Sequence, residues 1–195
     1  MEPYLSNMKA DYDQLVPVSD GLYKSLSLHL EFKKAKKGEL LKRVGEVEKC
    51  SRYICYGFVG TYSMAEGVPV LQNIFQATDA VFDAHSYITA EKTNTEIRVI
   101  SETAYFEFSK IDETWVVGKF PEFAKLGIEI NHRIQQRKDM QNAILRLGFR
   151  KGYSLFCKLI PGIQDCLHYQ DWVHLFNSSE RTVSRVLNQI SRPGS

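Results

Sequence analysis

One uninterrupted stretch fixes the plan of this chain. "PEFAKLGIEINHRIQQRKDMQNAILRL" (121–147) has no Gly or Pro after Gly127. Within it Phe123, Leu126, Ile130, Ile134, Met140, Ile144 and Leu147 recur at helical spacing. That pattern predicts one helix of about 20–25 residues. Its middle, "HRIQQRKDMQN", is strongly polar and leaves only a narrow apolar stripe. Such a stripe suits pairing with a partner helix better than burial inside a globule. Ile130, Ile134, Met140 and Ile144 are the residues expected at a two-fold interface.

The chain on the two sides of this helix has different textures. Residues 11–30 suggest short helical pieces around a turn at Ser19-Asp20-Gly21. From Glu31 to about Phe108 come short alternating runs such as "ELLKRVGE", "YICYGFVGTYSM", "VPVLQNIF" and "EIRVISETAYFEFS". In the second run Tyr53, Cys55, Gly57 and Val59 share one face, and Ile54, Tyr56 and Phe58 the other. "MAEGVPV" (64–70) marks a hairpin around Glu66-Gly67. Many short strands at close spacing argue for a roll, sandwich or barrel.

After the long helix, Gly148 and Gly152 punctuate the chain. "YSLFCKLI" (153–160) reads as a short helix ended by Pro161-Gly162. "LHYQDWVHLF" (167–176) reads as another. Asn177 follows, suited to a left-handed turn. Ser178 and Ser179 are N-cap candidates for a last helix, "ERTVSRVL". Two helices about three residues apart make a helix-turn-helix layout. The whole therefore reads as an α+β chain: an antiparallel β-roll over 1–120, a dimerisation helix over 121–147, and a helical domain over 148–195.

Charge supports an anionic partner for the last part. Residues 133–195 carry ten Lys/Arg against four Asp/Glu, and the remainder fifteen against nineteen. A basic third on a slightly acidic body fits nucleic acid. The four cysteines, Cys50, Cys55, Cys157 and Cys166, are scattered, so a metal or iron–sulfur site is not expected. No apolar run is long enough to span a membrane, and no basic-then-apolar leader opens the chain. A cytoplasmic location is the expectation. No nucleophile–base–acid set stands out, so an enzyme is not expected.

The order of these parts resembles the Crp/Fnr family of bacterial transcription regulators. "KKAKKGELLKRVGE" (33–46) is similar to that family's first roll strand, with Gly38-Glu39 and Gly45 at its turns. "YGFVGTYS" is similar to the strand carrying its glycine, and "FPEFAKLG" to the opening of its dimerisation helix. "NSSERTVSRVL" is similar to its recognition helix. The resemblance implies a homodimer that reads double-stranded DNA through Ser178, Ser179, Glu180, Arg181, Thr182, Ser184 and Arg185.

The resemblance also implies an effector pocket, and there the sequence departs. The segment matching the family's cyclic-nucleotide cassette is "AVFDAHSYITAEKTNTEIRV" (80–99). Phe82 stands where the family has Gly, and Asp83 where it has Glu. No Arg occurs in Thr93-Asn94-Thr95-Glu96. The pocket is expected to involve Phe82, Asp83, His85, Ser86, Thr95 and Glu96, with Glu96 repelling a phosphate. Arg98 is expected to point outward by alternation. Cyclic AMP is therefore not an expected ligand, and any other effector is unidentified. Haem or an iron–sulfur cluster finds no ligand set. In the terminal domain, Val173 replaces a small residue, and bulky Trp172 and Phe176 suggest more open packing. Arg181 stands at the usual base-reading Glu position, with Glu180 one residue earlier. No β-wing follows the recognition helix. A second reading stays open, in which the roll senses a ligand or partner and the terminal helices no longer read DNA.

Overall fold

A computed structural model describes residues 2–190. The tail "RPGS" lies outside them. Two helices, α1 (Glu2–Asp13) and α2 (Asp20–Ser27), precede eight strands. The expected turn at Ser19 is instead a helix start, because the Ser19 side chain accepts a hydrogen bond from the Leu22 N–H and caps α2. The strands are β1 (Leu30–Ala35), β2 (Leu40–Lys42), β3 (Cys50–Tyr56), β4 (Val59–Ala65), β5 (Val68–Phe75), β6 (Ala80–Val81), β7 (Thr95–Val99) and β8 (Thr103–Ser109). A short helix, α3 (Ala84–Thr89), sits between β6 and β7. The strands form two antiparallel sheets, ordered β1-β8-β3-β6 and β2-β7-β4-β5. This is the antiparallel roll expected from the alternating runs.

The run "YICYGFVGTYSM" is not one strand. It breaks at Gly57, whose φ is +88°. A Cβ there would lie 2.3 Å from the Glu102 carbonyl oxygen, so only glycine permits the turn. The β4–β5 hairpin turns at Glu66 and Gly67, both with positive φ, as the primed turns of tight hairpins require.

A helix not foreseen in the sequence, α4 (Lys110–Lys119), follows β8, capped by Ser109. The long helix α5 then runs Pro121–Leu145. Its buried face docks on its own chain through Phe123 and Leu126 near its start and, further along, through polar groups. Arg133 Nη1 donates to both Asp11 carboxylate oxygens, at 2.9 and 3.0 Å. Arg137 pairs with Asp79. The Gln141 side chain, 6% exposed, donates to Ile74 O at 2.7 Å and accepts from Ile74 N at 3.2 Å. It pairs with the backbone at the edge of the second sheet as a neighbouring strand would.

Helices α6 (Phe149–Leu159), α7 (Tyr169–Leu175) and α8 (Glu180–Ile190) complete the chain, with a 3-10 turn at Ile163–Asp165. They do not pack openly. Trp172 and Phe176 are 2% and 5% exposed and stand among Phe149, Tyr153 and Phe156 with ring centroids 5.1–6.1 Å apart. The bulk is absorbed at Gly152, where a Cβ would lie 2.6 Å from the Phe176 ring. This cluster is continuous with Tyr62, Leu71, Ile74 and Ile100 on the outer face of the second sheet. The sheet is thus buried on both faces, since Val59, Phe75 and Ile97 fill its inner side.

Gly152→Ala tests the close packing. Alanine gains about 1 kcal/mol in helix propensity. Overpacking against Phe176 costs about 1–3 kcal/mol. The expected result is a net loss of stability in urea unfolding; a stabilised variant would refute the tight fit.

Candidate functional site

The turn between α7 and α8 is built as the sequence suggests. Asn177 adopts φ +45°, the left-handed conformation that Asn tolerates well. Ser179 Oγ accepts from Thr182 N at 3.3 Å and lies 3.0 Å from Thr182 Oγ1, closing the first turn of α8. Val183 and Val186 are buried in the aromatic cluster. Ser179, Glu180, Arg181, Ser184 and Arg185 are exposed, and Ser178 and Thr182 are half-buried. Among the described residues, Arg181 and Arg185 make no hydrogen bond or ion pair. Glu180 is occupied differently: Gln170 Nε2 donates to its carboxylate at 3.0 Å, and the Tyr169 hydroxyl donates to its carbonyl. Ser178 Oγ donates to Phe176 O at 3.3 Å. Arg150, on α6, and Arg146, just past α5, are also exposed.

The cassette segment folds as α3 with Asp83 at its N-cap, where the carboxylate accepts from Ser86 N at 3.3 Å. Asp83 does not face outward. It pairs with Lys42 Nζ at 3.2 Å, and the two side chains are 6% and 2% exposed. The Thr93 hydroxyl also donates to Asp83. Lys42 Nζ donates further to Thr93 Oγ1 at 3.0 Å, Thr95 O at 2.9 Å and Arg43 O at 3.4 Å. Lys42 points inward because β2 carries a register shift between Leu40 and Lys42, so that Leu41 is the extra residue against β7. Simple alternation could not reveal it. A second buried pair braces the other side of α3. Glu48 takes Arg52 Nη1 at 3.0 Å and Asp83 N at 3.3 Å.

The pocket residues divide. Phe82, Asp83, His85 and Thr95 line a cavity of about 330 Å³ between the inner face of the second sheet, α3 and α5. Ser86 does not line it: its hydroxyl accepts from Glu48 N at 2.9 Å and donates to Glu91 O. Glu96 corrects the expectation most clearly. It lies on the outer face of β7, paired with Arg98 Nη2 at 2.5 Å, and so stands away from the cavity. Arg98 does point to that outer face, where it lies 5.1 Å from the Tyr62 ring centroid. His85, 65% exposed at the mouth, pairs with Glu91 at 3.2 Å. The cavity also takes Thr61, Ser63, Asn73 and Lys138, which sequence reasoning passed over. Only an inward alternation of Thr61, Ser63 and Thr95 hinted at them.

On α5 the four expected interface residues are not equivalent. Ile130 packs on the core formed by α1, α2 and β8, and Ile144 on the terminal aromatic cluster. Ile134 is half-buried and Met140 is 52% exposed. The outward stripe is Ala124, Ile128, His132, Gln135 and Asp139, all exposed.

The four cysteines are free thiols, and the described residues hold no group of three or more metal-ligating side chains. No described helix is long and apolar enough to cross a membrane.

No family model matches the sequence, nor does any curated protein. Solved structures do match. The c-di-GMP responsive global regulator CLP of Xanthomonas campestris aligns with TM-score 0.67 and 13% identity over 89% of this chain and 92% of its own. The chain has the Crp/Fnr-type fold. A CooA mutant of Carboxydothermus hydrogenoformans carries the same Crp/Fnr fold, with TM-score 0.59 and 16% identity over 91% and 83% of the two chains. The Catabolite Activator Protein of Thermus thermophilus gives 0.52 and 15% over 93% and 90%. At such identities the shared property is the fold.

Lys42→Met tests the buried pair. Leaving Asp83 charged and unpaired costs about 3–5 kcal/mol. Lys42→Met with Asp83→Asn should recover part of that loss. Urea unfolding of the two singles and the double reads the coupling; purely additive effects would dismiss the pair.

Proposed function

We propose that this chain is a cytoplasmic, DNA-binding transcription regulator of the Crp/Fnr type that acts as a homodimer and does not respond to cyclic AMP. The observation that carries the reading is the face of α8. The Arg181 and Arg185 side chains stand exposed and unpartnered near its N-terminal turns, with Ser184 exposed between them and accepting from Asn188 Nδ2 at 3.4 Å, while Val183 and Val186 anchor the helix. A helix presented in this way enters a major groove with its N-terminal residues at base edges. Arg181 and Arg185 can each pair bidentately with guanine O6 and N7, worth about 1–3 kcal/mol of discrimination. Ser178, Ser179, Thr182 and Ser184 suit phosphate or base contacts. Glu180 accepts from Gln170 Nε2 at 3.0 Å and, being exposed, can also accept from a cytosine N4. Arg146, Arg150, Lys151 and Lys158 add sequence-independent attraction, which makes affinity fall with salt. A dimer through α5 places two such helices on two half-sites. Ile128, Ile134 and Met140 are the apolar groups left for that contact.

The cyclic AMP reading rests on the cassette. Its cation is absent from 93–96, and Lys42 is buried with its donors already spent. A cyclic phosphate finds no free guanidinium or ammonium on the cassette segment itself, where the family's grip is expected.

Selection from random duplex DNA at physiological salt should enrich an inverted repeat with half-sites one helical turn apart. Arg181→Ala and Arg185→Ala should each cost about tenfold or more in affinity for that repeat. Enrichment of nothing, with weak binding that vanishes as salt rises, would overturn DNA reading and leave a sensing module. Calorimetric titration with cyclic AMP should give no heat; micromolar binding would overturn that half of the proposal.

A further inference from the structure

The 330 Å³ cavity has an unusual charge balance. Most of its polar lining is neutral: the hydroxyls of Thr61, Ser63 and Thr95 and the amides of Gln72 and Asn73, with Asn73 Nδ2 donating to Thr61 Oγ1 at 3.4 Å. Asp83 brings a carboxylate, but Lys42 neutralises it from behind. One cation enters from α5. Lys138 lines the cavity and makes no hydrogen bond or ion pair with any described residue. Its Nζ lies 5.9 Å from the Phe75 ring centroid. Burial holds its ammonium below the ordinary lysine range, and the charge of Asp83 offsets part of that. A partly desolvated ammonium without an acceptor is costly, so an anion in the cavity recovers free energy that the empty site lacks.

We propose that this cavity binds a small hydroxylated organic acid, its carboxylate on Lys138 and its hydroxyls on Thr61, Ser63 and Asn73. The inference rests on the cavity being the effector pocket of the fold, and on neither DNA reading nor dimerisation. A single lysine is a compact point charge matched to one carboxylate. A phosphate group carries more charge and is met by several donors or a guanidinium fork. The cavity here offers no guanidinium and no second free cation beside Lys138, because His85 is turned to Glu91 and Lys42 to Asp83. The grip lies on the α5 wall, opposite the α3 segment.

The test uses the full chain and named probes: malate, 2-oxoglutarate and gluconate, with erythritol and inorganic phosphate beside them. Thermal shift and calorimetry are read for wild type, Lys138→Met and Lys138→Arg. At least one acid should raise the melting temperature at millimolar concentration, and Lys138→Met should weaken it about tenfold or more. Lys138→Arg should retain measurable binding. Carbon-13 methylation of the lysines adds a readout on the wild-type fold: the Lys138 signal should titrate below the other lysines and move when acid is added. No acid binding, equal binding of erythritol, stronger binding of phosphate, or binding indifferent to Lys138→Met each overturns the proposal. Because these readouts contain no DNA, they stand or fall separately from the selection experiment.

Discussion

The structure depends on the burial of the second sheet from both sides. Its inner residues Val59, Phe75 and Ile97 close the roll, and its outer residues Tyr62, Leu71, Ile74 and Ile100 form the floor for the terminal helices. Antiparallel sheets commonly leave one face to water. Here both faces bury apolar residues, so the helices that carry α8 are part of the same core. Lys37 Nζ adds a hydrogen bond of 2.9 Å to Cys166 O across that junction. Gln141 seals the β5 edge at Ile74, fixing α5 to the same sheet.

A second constraint is electrostatic. Lys42, Asp83 and Thr93 form a closed group under α3, and Glu48 with Arg52 forms another. Buried pairs of this kind add little net stability over an apolar replacement, but breaking one is expensive. Their effect is to hold α3 in one geometry. Asp83 caps the helix, Glu48 accepts the Asp83 N–H, and Ser86 accepts the Glu48 N–H. The segment is therefore ordered by the chain's own charges, with no bound anion required to organise it.

Much of this was legible in the sequence. The period of 121–147 gave α5 its bounds, and the Asn177 turn and Ser179 cap placed α8. The hidden parts share a cause: each depends on a neighbour distant in sequence. The bulge at Leu41 re-aims Lys42 only through its pairing with β7. Glu96 and Thr95 are adjacent, yet strand alternation sends one to each face, and only the register decides which faces the cavity. Trp172 and Phe176 look too large until Gly152 is set against them. Ile130 and Ile144 fit an exposed stripe by period alone, but α1 and the terminal cluster claim them. α4 was missed because its amphipathic signal is weak, with Val116 alone fully buried.

The same packing limits how a signal can move through this fold. Swinging the terminal helices off the sheet would expose Leu71, Ile74 and Ile100 together with the aromatic cluster above them. Each such aliphatic side chain is worth about 1.5–3 kcal/mol when fully buried, so these three alone amount to about 5–9 kcal/mol. That is comparable to the whole stability of a domain of this size. Detachment into water is therefore a costly mode of switching. The cheaper mode is small rotation of rigid parts that keep their contacts. α5 is placed for it. Lys138 reaches the cavity and Ile144 the terminal cluster, six residues apart and about 9 Å along the helix axis. Thr61 and Tyr62 are neighbours on β4, one facing the cavity and the other the terminal helices. A displacement of β4 at the cavity wall is therefore felt at the terminal cluster, where Tyr62 is packed among close neighbours.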